Sequence, residues 1–420
     1  MMFVNLEKYV QIVVLIPLMT TFTVNPKNVI MIPIQMSGNS RIFFLFLMFL
    51  PFMLYSKEVK LSSQFLNQER IIDVYLPDNY DNSLNYPCIY VLDGDKLGSL
   101  VSGITLFNEG FDLFPEIIII SIRQDTTRWT DCGYNSKGEL TVNSSNFYNF
   151  ISKELIPYVD LNYSVNNYRI ILGHSFTANF INYFLIDKDI SYFNSYIAIS
   201  PYYSPDLVNK VLEKVNSLKS IVSYYVSYSE NDLSGHINSV RKADKIFKSI
   251  KSKNFNYKMD YIQGKGHISM VPISTSNAID HTFFYSKPIF KVFKIKNLRE
   301  FKGSYVAFVK KYYSNLNLIY SIDIEYRIED LEYVSFAVNK YSRDIEVKEF
   351  GEFCIQNKPN AYVGYYLLGE YYEKLNLLER ALFFYEKGYS TLGDNCLNKS
   401  DFYREISKIK VKLTKKQQNI

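Results

Sequence analysis

The sequence predicts an α/β fold with a mainly parallel sheet, followed by a small all-α carboxyl-terminal domain. Three observations predict it. Short apolar runs alternate with helically spaced stretches from about residue 60 to 285. Several of those runs are apolar at nearly every position, as suits parallel strands covered on both faces. After about residue 290 the pattern turns helical.

The strand candidates are, in order, IIDVYL at 71–76, CIYVL at 88–92, EIIIISI at 116–122, RIIL at 169–172, YIAIS at 196–200, VSYYVSY at 222–228 and YKMDYI at 257–262. Between them, 147–159 and 237–250 place apolar residues at helical spacing. In the last part, 361–392 holds Leu368-Gly369 followed by Tyr372, with Ala381 four positions before Tyr385. That spacing resembles one tetratricopeptide unit, where small residues let two helices pack closely. One unit cannot bury its own face, so it is expected to dock on its neighbours, and a plain helical cap is the other reading.

Ahead of the sheet, IFFLFLMFLPFML at 42–54 is uncharged, preceded by Arg41 and followed by Ser56. It is short for a membrane span and fits the apolar core of a secretory signal starting at Met36. Residues 1–35 read either as an extension upstream of the true start or as a buried helix. The expected organisation is therefore an extension at 1–35, a signal peptide at 36–56, a catalytic domain at 57–290 and a helical domain at 291–420. Export to a periplasmic or secreted location follows. No cysteine succeeds the apolar core, so a lipid anchor is not expected.

At 420 residues the chain is too long for one ordinary core, and 47% hydrophobic with 21% charged residues is the balance of a globular protein. The net charge of +5 comes without a basic block interleaved with aromatics, which argues against nucleic-acid binding. Cys88, Cys132, Cys354 and Cys396 show no paired or zinc-type spacing with the four histidines, so no structural metal is expected. A disulfide is left open.

The chemistry concentrates in IILGHSFT at 170–177, where an apolar strand runs into Gly-x-Ser-x-Thr and a helix opens after it. A nucleophile elbow needs this strand–turn–helix context, because the sharp turn lifts the serine hydroxyl above the sheet edge. Gly173 is required where a side chain would strike the neighbouring helix or strand. Ser229-Glu230-Asn231-Asp232 follows one later strand and Gly266-His267-Ile268 another. The order serine, acid, histidine, each at a strand's carboxyl end, is that of an α/β-hydrolase fold. Ser175 is the expected nucleophile and His267 the base, with Asp232 as the orienting acid and Glu230 as its rival. Backbone N–H groups of Phe176 and of the 92–95 loop, at Asp95 or Gly94, are the candidates for an oxyanion hole. His174 is expected to shape the turn or pocket, and His236 and His281 to be surface or cap residues.

With these residues in view, the region 60–285 resembles the esterase family of α/β-hydrolases that includes feruloyl esterases, enterobactin-type siderophore esterases and formylglutathione hydrolase relatives. The matching words are YVLDGD at 90–95, FISKELIPYVDLNY at 150–163, YRIILGHSF at 168–176, YIAISPYY at 196–203 and GKGHIS at 264–269. The resemblance implies that QDTTRWTDC at 124–132 is a substrate-side loop, making Arg128 and Asp131 candidates for the site wall together with His174 and Tyr202. It also implies an ester substrate, small or conjugated, and no cofactor. Two departures stand out. Thr177 replaces a glycine after the serine, and Ser229 replaces a glycine before the acid. A short β-branched side chain at 177 fits only where its surroundings are small.

Three functions are compatible with this pattern: a serine esterase working through an acyl-enzyme, an acyltransferase with the same triad, and a weakened hydrolase fold serving as a binding protein. The helical domain is the expected surface for any protein partner.

Overall fold

Parallel strands need crossovers, and the chain supplies them as helices on both faces of one sheet. The computed structural model describes residues 56–418 except 111–113, 189, 302, 323, 342–343 and 394–397. Apart from Ser56, the expected signal peptide and the segment before it lie outside the described residues, as does Cys396. No described helix is long and apolar enough to cross a membrane.

Eight strands form the sheet: β1 (Ser56–Ser63), β2 (Gln68–Tyr75), β3 (Tyr86–Val91), β4 (Ile118–Ile122), β5 (Val165–His174), β6 (Ser195–Ile199), β7 (Val222–Asn231) and β8 (Phe255–Gly266). Their order is β1-β2-β4-β3-β5-β6-β7-β8. β1 pairs with β2 and β2 with β4 antiparallel, and every other neighbour is parallel. All seven strand candidates are strands. β1 is additional: Lys57, Glu58 and Lys60 are exposed and only Val59 and Ser63 are buried, so this edge strand lacks an apolar run.

The main helices are α1 (Gly94–Glu109), α2 (Val142–Asn149), α3 (Ile156–Asn162), α4 (Phe176–Phe180), α5 (Leu207–Asn216), α6 (Ser234–Phe247), α7 (Val271–Thr282), α8 (Tyr305–Tyr320), α9 (Ile328–Tyr341), α10 (Asp344–Asn357), α11 (Tyr362–Lys374), α12 (Leu378–Ser390) and α13 (Lys399–Gln418). The expected helix at 147–159 is longer, since a π-helical stretch at Phe150–Leu155 links α2 to α3.

Strand side chains alternate between two cores. Cys88, Tyr90 and Leu92 join Phe147, Val211, Val240 and Phe247 beneath α2, α5 and α6. Ile89, Val91, Ile170 and Leu172 point the other way, to Leu97 and Val101 of α1 and to Ala278 and Ile279 of α7. That second core runs on through Val309, Leu331, Val347 and Leu367, so α8 to α11 share buried apolar surface with the sheet. Polar ties reinforce it: Asn166 of β5 donates to Tyr320 O at 3.1 Å, and Tyr320 donates to Thr282 O at 2.9 Å. A smaller cluster, with Ala381, Tyr385, Phe402 and Ile409, holds α12 and α13.

Within 361–392, Gly369 lies against Tyr385, and a Cβ at 369 would come within 2.5 Å of the ring. Cys88, Cys132 and Cys354 are free and buried.

Candidate active site

β5 delivers the chain to a turn that only particular residues can make. Ser175 sits at φ 62°, ψ −113°, a strained position for a residue with a Cβ, and α4 starts at the next residue. Its N–H donates to Ile199 O on β6 at 2.8 Å, fixing the elbow on the sheet. A Cβ on Gly173 would lie 2.6 Å from the backbone of Thr177, so glycine is obligatory there. Thr177 itself is fully buried. Its hydroxyl accepts from His174 N–H at 2.9 Å and donates to the Asp93 carboxylate at 2.8 Å. Polar pairing, more than small neighbours, is what accommodates the threonine in place of glycine.

The loops after β7 and β8 bring an acid to a histidine. His267 Nδ1–H donates to Asp232 Oδ1 at 2.6 Å, and the Asp232 side chain is wholly buried. Ser200 donates to Asp232 Oδ2 at 2.8 Å and lies 3.1 Å from His267 Nδ1. Burial alone would raise the Asp232 carboxyl, but hydrogen bonds from His267, Ser200 and the Leu233 N–H outweigh it and hold the group below the usual range. Glu230, the rival acid, is elsewhere: its carboxylate accepts from Gly264 N–H at 2.8 Å in an exposed turn. Ser200, at φ 50°, is a member of this cluster that the sequence reading missed. Its signal was a serine at a strand's carboxyl end, just before Pro201.

Two further imidazoles flank His267. The His174 ring lies 4.6 Å away and its Nε2–H donates to His267 O at 3.0 Å, bracing the loop. Burial, and then the nearby His267, push its pKa down to about 3, so it is neutral. His174 therefore supports the His267 loop and is withdrawn from the site wall. His236, expected at the surface, has its ring 4.9 Å from His267, with Nδ1–H donating to Ser200 O at 2.7 Å. Among the described residues Ser175 Oγ has no hydrogen-bond partner, so the serine is not paired with His267 in this conformation.

Gly94 and Asp95 open α1 and Phe176 opens α4. First-turn N–H groups have no acceptor inside their own helix, and these three find none elsewhere among the described residues. The Asp95 carboxylate is engaged by the N–H groups of Gln124 and Asp125, both at 3.3 Å. The preceding Asp93, at φ 53°, is where the loop meets the elbow. Arg128 Nε donates to Asp93 Oδ1 at 2.5 Å, and its Nη2 donates to His174 O at 2.9 Å.

Arg128 is thus a tie between the loop and the elbow, with Nε and Nη2 both engaged there. Asp131 corrects the expectation more sharply. It is buried, takes two hydrogen bonds from Arg70 at 2.9 and 2.5 Å, and also accepts from Thr127 and Gln124. No carboxylate oxygen is left for a substrate. The same loop instead presents Trp129, which is 65% exposed and lies 4.7 Å from the Phe176 ring. Tyr134 approaches Phe176 from another side at 6.1 Å. Tyr202 stays at the rim, half exposed beside His236.

Residues 63–247 match the family model described as "Putative esterase". No curated protein matches the chain. Among solved structures, an uncharacterised protein from Capnocytophaga ochracea DSM 7271 is similar over 85% of this chain and all of its own, with 18% identity and a TM-score of 0.72. That share exceeds the α/β part alone, so the likeness of fold extends into the helices. An IroE-like serine hydrolase from Shewanella oneidensis is similar over 80% of this chain and all of its own, at 18% identity and a TM-score of 0.53. The matched region, the strand order and the elbow agree: residues 63–247 are similar to the putative esterase family, and the chain has an α/β fold with a helical carboxyl-terminal region beside it.

Proposed function

We propose that this protein is an exported serine hydrolase that cleaves a carboxylic ester through an acyl-enzyme, with Ser175, His267 and Asp232 as the triad. The observation that carries the reading is the 2.6 Å bond between His267 Nδ1 and Asp232 Oδ1, beside a serine in an elbow turn. With Nδ1 protonated and held by Asp232, the lone pair of His267 is on Nε2, the atom a general base uses.

Ser175 Oγ attacks the ester carbon as its proton passes to His267 Nε2. The new oxyanion is met by the N–H of Phe176 and by that of Asp95 or Gly94. His267 then returns the proton to the departing alcohol, and water repeats the cycle to release the acid. Ser175 must rotate toward His267 as substrate binds, in keeping with the looser geometry of unliganded sites. The exposed faces of Trp129 and Tyr202 give the substrate an aromatic rim. The apolar segment at 42–54 is the basis for export, and the helical region at 291–420 is proposed as a domain with one tetratricopeptide-like unit.

The test is hydrolysis of p-nitrophenyl butyrate by the mature chain beside Ser175→Ala, with fluorophosphonate labelling read by peptide mass spectrometry. Loss of both turnover and label in the variant is expected; equal rates would overturn the reading.

A further inference from the structure

We propose that Ser200 is a positioning residue of the active site, whose hydroxyl holds the Asp232 carboxylate turned toward His267. This inference rests on the triad reading above and adds a fourth member to it.

The Asp232 side chain has no exposed surface, so both of its oxygens must find donors inside the protein. Oδ1 has two close ones, His267 Nδ1–H at 2.6 Å and Leu233 N–H at 2.8 Å. Oδ2 has the Ser200 hydroxyl at 2.8 Å and, among the described residues, otherwise only Ser229 N–H at 3.4 Å. The second of these is at the outer limit of a hydrogen bond. Ser200 is thus the close donor on which Oδ2 depends. Without it a buried, charged oxygen is left almost bare, and the carboxyl group relieves that by rotating or by taking up a proton. Either response loosens the hold on His267 Nδ1–H. The imidazole is then free to carry its proton on Nε2, where it cannot act as the base.

The backbone delivers this hydroxyl at a cost. Ser200 follows β6 at φ 50°, a conformation that glycine adopts freely and a residue with a Cβ does not. Two bonds hold the turn. The Ser200 N–H donates to Ser227 O on β7 at 2.8 Å, and the Ser200 carbonyl accepts from His236 Nδ1–H at 2.7 Å. His236 therefore braces the residue that braces the acid. Ser200 is fully buried, so its hydroxyl acts through Asp232 and His267. A hydroxyl has one proton and two lone pairs. With the proton given to Asp232, the oxygen lies 3.1 Å from His267 Nδ1, where it also faces the positive charge that the ring carries after accepting the Ser175 proton.

Two variants test this. Ser200→Gly deletes the hydroxyl and suits the backbone, and Ser200→Ala deletes it while keeping the Cβ. On p-nitrophenyl butyrate both should lower kcat about 10- to 100-fold with KM within about threefold. In an Asp232→Asn background the same changes should cost less than about threefold, because their effect passes through the carboxylate already lost. The ring ¹⁵N shifts of His267 should report the Nδ1–H tautomer in the unaltered chain and a mixture of tautomers in Ser200→Gly. An undiminished kcat, a full loss repeated in the Asp232→Asn background, or an unchanged tautomer overturns the proposal. Should Ser200→Ala fail to fold at positive φ, Ser200→Gly carries the test alone. Should Ser175→Ala turn over ester as fast as the unaltered chain, the triad reading fails instead, and the tautomer of His267 still decides whether Ser200 governs its pairing with Asp232.

Discussion

The Thr177 hydroxyl donates to the Asp93 carboxylate across 2.8 Å, joining the turn that carries Ser175 to the loop that carries Gly94 and Asp95. Arg128 makes the same connection from the other side, holding Asp93 and the carbonyl of His174 together. The two halves of the proposed oxyanion hole are thereby set by one buried polar network, not by independent loops.

Thr177→Val keeps the shape and removes the hydroxyl, leaving Asp93 Oδ2 with one donor fewer. Steady-state kinetics should show kcat lowered by about 10- to 100-fold with KM within about threefold, since the loss falls on transition-state alignment. Thr177→Ser should retain most of the rate. A rise in KM at constant kcat would place Thr177 in substrate binding instead.

For the acid, Asp232→Asn should lower kcat on p-nitrophenyl butyrate by roughly 10³- to 10⁴-fold, because the amide favours the wrong tautomer of His267. Glu230→Gln should stay within about twofold, its carboxylate being spent on Gly264 N–H. The reverse ranking would show that the two loops rearrange on binding substrate.

Glu109, at the end of α1, is pushed up to about 7, first by burial and then by Glu116. A carboxyl raised on folding contributes its stability in full below the unfolded pKa near 4.5 and loses it as pH rises through 7. Glu109→Gln should leave urea midpoints near pH 4 unchanged and raise stability at pH 8.5, by an amount on the order of 2–3 kcal/mol. A uniform shift at both pH values would mean that the side chain acts through packing alone.

Gly369→Ala tests the close packing of α11 on α12. The added carbon would press on the Tyr385 ring, and overpacking of this kind costs about 1–3 kcal/mol. Thermal unfolding should show a lower midpoint, with the p-nitrophenyl ester rate at 25 °C unchanged.

How far the sequence reveals this architecture depends on what each residue contacts. Interior strands such as Cys88–Leu92 are apolar throughout because both faces are covered, and they are legible without a partner. β1 is not, since Lys57, Glu58 and Lys60 face solvent on an edge. The elbow is legible because Gly173 and Ser175 answer local demands of the backbone. Asp131 reads as a site residue until Arg70, some sixty positions earlier, is seen to consume it. His236 reads as a surface residue because its approach to His267 depends on where α6 starts relative to the end of β8. Local geometry leaves a mark in sequence, whereas long-range polar pairing leaves almost none.

The chain has one tryptophan, and the fold puts it on Phe176, the residue after the proposed nucleophile. Its emission is thus a single-point optical reporter at the mouth of the site. Because Trp129 is largely solvated, any acyl group that settles over it should shift that emission to the blue. Association and acyl-enzyme turnover can then be followed in real time on the native chain, with no dye attached.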